Sequence, residues 1–135
     1  MQIAVVRCMP KHHSFRDLNV WQQAMTPVQD IYRVTKQFPR EEQFGLTAQI
    51  RRAAISIPSN IGEGKRRRSD AAFLHHLDIA LGSQGEVEVQ LEIALRLGFL
   101  KTSDFHNVQP MVEDIGRMLN GLIDSIEPVP SSQQQ

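Results

Sequence analysis

The sequence predicts an all-α fold, an antiparallel up-down four-helix bundle with a kinked second helix, on three observations. Apolar residues recur at spacings of three and four through four separate segments. The connections between those segments are short, and short connections make neighbouring helices run in opposite directions. No alternating strand pattern competes apart from a weak "IAVV" at 3–6, and no fixed-period repeat suggests a solenoid.

The first helix is expected from Ser14 to Phe38. Leu18, Trp21, Met25, Val28, Tyr32 and Thr35 make its apolar stripe, and Ala24 and Ile31 widen it. Ser14 is placed as its N-cap with Asp17 in the first turn, Pro27 should bend it, and Phe38 ahead of Pro39 should end it. The second helix begins between Arg40 and Thr47 and runs to about Glu63. It carries Leu46, Ile50, Ala53, Ala54, Ile57 and Ile61 on one side, with Gly64 as its C-terminal stop. Pro58 has no N–H to offer the carbonyl of Ala54 and should kink this helix, at a cost on the order of 3 kcal/mol in an ordinary helix interior. The third helix opens after Ser69 and reaches about Leu97 through Phe73, Leu77, Ala80, Leu81, Val87, Leu91, Ala94 and Leu95. The fourth follows Thr102 with Val108, Met111, Ile115, Met118, Leu122 and Ile126. Residues 1–13 are expected to be a poorly ordered extension, 14–126 the bundle domain, and 127–135, "EPVPSSQQQ", a disordered tail.

A length of 135 residues is one ordinary domain. Fifteen cations balance fifteen acids, so no overall field draws the chain to nucleic acid or to an anionic membrane, and any electrostatic function must be local. Cys8 is the single cysteine, which excludes an intrachain disulfide and fits a reducing cytoplasm. The apolar stretch at the amino terminus is shorter than a signal-peptide core, so a cytoplasmic location is expected.

Charge is nevertheless polarised within the chain. Residues 51–68 hold Arg51, Arg52, Lys65, Arg66, Arg67 and Arg68 against Glu63, a net of +5, and the remainder carries −5. Residues 84–127 hold eight acids and three cations. Two readings follow. Basic and acidic poles can meet head to tail between identical subunits, or the six cations can contact phosphates. Cations after a helix C-terminus are also favoured by its dipole with no ligand at all. Ser56, Asn60 and Glu63 form a polar stripe at spacings of four and three, read either as a solvated face or, together with Pro58 and the small residues Ala53, Ala54, Ser59 and Gly62, as a subunit interface.

Catalytic patterns fail on spacing. "SNIGEGKR" puts Ser59 where a P-loop needs glycine and Arg66 where it needs Ser or Thr, and "GEGKRR" lacks the third glycine of a dinucleotide loop. His75 and His76 are neighbours on a helix and point apart. His75 with Asp78 offers only two ligands, and Cys8 has no nearby base except His12 and His13. No metal, cofactor or catalytic residue is expected.

The stretches "FRDLNVWQQA", "IYRVTKQFPREEQFGLTAQIRRAAISIPSNIGEG" and "FLHHLDIALGSQGEVEVQLEIALRLGFL" resemble the four-helix-bundle family of the 23S rRNA intervening-sequence protein, over about residues 14–125. That family is similar to the accessory protein of diversity-generating retroelements, a basic bundle that forms a ring-like homopentamer and binds reverse transcriptase and nucleic acid. Gly62 stands where the family more often has alanine, Gly85 departs from its usual third helix, and the balanced charge differs from its strongly basic members. The resemblance implies a bacterial, cytosolic, non-enzymatic oligomeric module, most simply a homopentamer. Its expected partner is RNA, DNA or a nucleic-acid-associated protein, and the alternative is a purely structural homo-oligomer that binds a protein.

Overall fold

The computed structural model describes residues 14–126. Four helices account for most of them: α1 (Asn19–Thr35), α2 (Leu46–Arg66), α3 (Asp70–Arg96) and α4 (Thr102–Ile126), with short 3-10 turns at Phe15–Asp17 and Arg40–Glu42 and no strand among the described residues. The expectations for residues 1–13 and 127–135 fall outside the described residues.

The closest backbone approaches join sequence neighbours, and α1 closes the bundle against α4. Groups from alternate helix ends meet at each end of the molecule. The starts of α1 and α3 and the ends of α2 and α4 line one groove. At the other end Phe38 packs on Phe99, 5.9 Å between ring centres, and Arg33 at the end of α1 reaches Asp104 at the start of α4, 3.7 Å away.

All six apolar positions read on α2 face inward: Ile50, Ala53, Ala54, Ile57 and Ile61 are buried, and Leu46 packs against them half-buried. The helix runs on through Pro58, which is itself buried. Ile31, Leu77, Leu91, Ile115 and Leu119 fill the centre with essentially no exposure. Each such side chain contributes about 1.5–3 kcal/mol relative to remaining in water.

The structure corrects three local expectations. Ser14 caps the 3-10 turn, not α1: its Oγ accepts from Arg16 N at 3.1 Å while Asp17 accepts from Ser14 N, and the extended Leu18 separates this turn from the helix. The turn folds back because Phe15 packs edge-on against Trp21, 4.9 Å between centres. The helix α1 ends at Thr35 rather than Phe38, since Phe38 leaves it to be buried against Phe99. Gly64 does not stop α2. It lies buried inside the helix, where an added Cβ would come within 2.7 Å of His76 Cβ and 2.9 Å of Phe73 Cδ1, so glycine is what lets α3 approach. The stop comes at Arg67, which turns extended.

The remaining ends follow from local chemistry. The Glu42 carboxylate accepts from Leu46 N at 3.0 Å and satisfies one of the first donors of α2. Ser69 caps α3, its Oγ accepting from Ala72 N at 3.1 Å. Gly98 takes φ +79 after α3, and Gly98 N and Phe99 N donate to Leu95 O and Ala94 O, the paired bonds that close a helix C-terminus.

Candidate nucleic-acid interface

The run Lys65, Arg66, Arg67 and Arg68 projects from the last turn of α2 into the turn before α3, at the end of the bundle where four helix ends converge. Arg67 pairs with Glu63 at 2.9 Å, both half exposed. Arg66 and Arg68 are exposed, and neither has a carboxylate within ion-pair distance among the described residues. The four cations edge an open groove of about 1200 Å³. Its floor is apolar, made by the half-buried Leu18, Phe73, Leu122 and Ile126. Among the described residues, Asp70 is the one acid on its lining.

The turn at Phe15–Asp17 adds a residue that the sequence did not single out. Arg16 lines the same groove, and its guanidinium lies 4.7 Å over the Phe15 ring. The signal that could have found it is the spacing of Ser14 and Asp17, which makes a reciprocal capping box and holds the turn. What the sequence does not carry is that this turn folds onto the far end of α2, where Phe15 approaches Gly62.

The six cations read together in the sequence are not together in space. Arg51 sits fifteen positions before Arg66, about 22 Å along the helix. It is held at the end of α1: Nε donates to Thr35 Oγ1 at 2.8 Å, Nη2 donates to Tyr32 O at 3.2 Å, and the guanidinium stacks over the Tyr32 ring at 4.5 Å. The planar donor fork thus satisfies a carbonyl that the helix end leaves open. Arg52 points elsewhere, into a smaller groove of about 410 Å³ shared with Gln49, Ser56, Ser83 and Glu86.

The residues of the proposed polar stripe also divide. Ser56 and Asn60 lie half-buried on the seam between α2 and α3. Ser83 Oγ donates to Ser56 Oγ at 2.8 Å, Asn60 Nδ2 donates to Ser56 Oγ at 3.0 Å, and Asn60 Oδ1 is 3.1 Å from His76 Nδ1. This chain of bonds runs between helices of one molecule and gives His76 a packing partner. Pro58 is buried, while Glu63 is exposed beside Arg67. No group of three His, Cys, Asp or Glu able to hold a metal ion occurs among the described residues. No helix among them is long and apolar enough to cross a membrane.

Comparison with known proteins fits this architecture. A protein of unknown function from the S23 ribosomal protein family of Bacteroides thetaiotaomicron VPI-5482, known from its crystal structure, superposes with a TM-score of 0.72 and is 26% identical, covering 77% of this chain and 97% of its own. No curated protein matches the chain. The family model described as 23S rRNA-intervening sequence protein matches residues 16–121, nearly all of the helical bundle, and the chain belongs to that family.

Proposed function

We propose that the protein is a non-enzymatic, oligomeric interaction module of the bacterial cytoplasm whose basic groove takes nucleic-acid phosphates. The observation that carries this reading is the convergence of Arg16, Lys65, Arg66, Arg67 and Arg68 on one groove, with Arg66 and Arg68 lacking an acidic partner among the described residues. Cations left without internal neutralisation at a concave surface create a local positive potential in a molecule of zero net charge. Phosphate contacts of this kind position a ligand without reading its sequence.

The test is binding of nonspecific RNA or DNA by the full chain across a salt series. Log K is expected to fall with log salt by about 0.9 per phosphate contact on duplex DNA and about 0.7 on single strands. Changing Arg66, Arg67 and Arg68 together to Glu should abolish binding and leave helical content and solution mass unchanged. Absence of binding at low salt, or equal binding by the triple variant, removes the proposal.

A second reading, a purely structural homo-oligomer that binds a protein, is favoured by a different surface. On α3 and its C-cap, Val89 (60% exposed), Ile93 (42%) and Leu97 (58%) follow one another at spacings of four, in line with Gly82 and Gly85, whose Cβ positions meet nothing within 4 Å. Phe44, ahead of α2, is 89% exposed. An apolar face with room for close approach suits contact between copies, and a homopentamer is the assembly expected from the family resemblance.

A further inference from the structure

Resting on the nucleic-acid reading of this groove, we infer that its ligand is a single strand rather than a duplex, with unpaired bases against the apolar floor and the backbone along the cationic rim. The juxtaposition that points there is a rim of Lys65 to Arg68 above a floor of Phe73, Leu122 and Ile126, with the Arg16 guanidinium over the Phe15 ring beside it. A rim of cations alone suits any polyanion. The half-buried apolar floor discriminates, because a duplex turns its phosphates outward and keeps its base faces stacked inside, so it would touch the rim and leave Phe73 and Leu122 in water.

A single strand offers both chemistries in alternation, an anion and a flat apolar face at every nucleotide. Every base has such a face, so stacking on aromatic side chains tolerates any sequence, and arginine guanidinium planes serve the same purpose. Arg16 is suited to this. The turn that carries it is fixed by the Ser14–Asp17 capping box, and its guanidinium already sits over the Phe15 ring. It is therefore a stacking group and a charge at once, which lysine would not be. The groove volume of about 1200 Å³ exceeds that of an ordinary small-molecule cleft, as a site for several nucleotides requires.

The experiment is fluorescence anisotropy of the full chain with oligo(U) and with an RNA duplex of equal length, at low and moderate salt. The single strand should bind at least about tenfold more tightly, in line with the stacking of one or more bases. Arg16→Lys, at an exposed position and with the charge kept, should weaken single-strand binding several-fold, leave the salt slope unchanged and leave duplex binding unaltered. Phe73→Leu should do the same, with thermal unfolding followed alongside because Phe73 also packs on Gly64. Equal or tighter duplex binding, or unchanged single-strand affinity in Arg16→Lys, overturns the inference. Where both forms bind alike and the triple Glu variant loses both, the nucleic-acid reading survives and the single-strand inference falls. Where neither form binds at low salt, both fall together.

Discussion

Gly62 and Gly64 stand two residues apart on α2, both buried, and the structure gives them opposite roles. At Gly62 an added Cβ would lie 3.5 Å from Phe15 Cγ, ordinary contact, so the position has room for an alanine. Gly62→Ala is expected to stabilise by about 0.5–1 kcal/mol through the lower helix propensity of glycine. At Gly64 the same methyl would meet His76 Cβ at 2.7 Å and the Phe73 carbonyl oxygen at 3.3 Å, atoms with little freedom to retreat. Gly64→Ala should destabilise by about 1–3 kcal/mol, the usual cost of overpacking. Urea unfolding of the two single variants checks both signs, and equal shifts would show that α3 does not bear on Gly64.

Among the elements, α3 shows where patterns of apolar residues inform and where they do not. Its C-terminus depends on Gly98 at φ +79, a region that costs residues with a Cβ about 1–2 kcal/mol. Gly98→Ala should destabilise by that amount, read by thermal or chemical unfolding, whereas Gly85→Ala, in open space, should not destabilise. The existence of all four helices was legible because each carries a sustained apolar repeat, and on α2 every assigned core position faces inward. On α1 the buried line runs through Val20, Ala24, Pro27, Ile31 and Val34, so Trp21, Met25 and Tyr32 lie to its side. On α4, Val112 and Leu119 are fully buried and went unassigned beside Met111 and Met118, since neighbouring apolar residues leave the centre of a stripe undecided by about 100°. On α3, Ser83, Gln84 and Gln90 are buried, which no apolar pattern reveals. Gln84 is inside because its Nε2 donates to Val112 O at 3.0 Å and because Gly116 leaves space for it. The candidate groove was legible to the same extent: the sequence singled out Lys65 to Arg68, which line it, while the addition of Arg16 and the separation of Arg51 and Arg52 from the group required the fold.

At the scale of the molecule, charge separation and exposed apolar surface both bear on assembly. Cations gather at the α2 end, and the α3 face presents Val89, Ile93 and Leu97 to solvent. Light scattering at micromolar concentration is expected to give a multiple of the 15.3 kDa chain mass, with five copies the expected number. Replacing Val89 and Ile93 together by Lys should lower that mass while circular dichroism stays helical. A monomeric wild type would remove the oligomeric half of the proposed function and leave the groove to act singly.

The polypeptide enters and leaves the bundle at the same end, which bears on how the molecule can be handled and joined. Ser14 and Ile126 both line the cationic groove. Residues 1–13 and 127–135 are both joined to the bundle at this groove, so an affinity tag, a fluorophore or a second domain added at either terminus is tethered to it through no more than 13 residues, and an acidic one competes for the cations at raised local concentration. The Phe38–Phe99 end is the remote one, so a probe or surface attachment placed on its loops leaves the groove open on every copy.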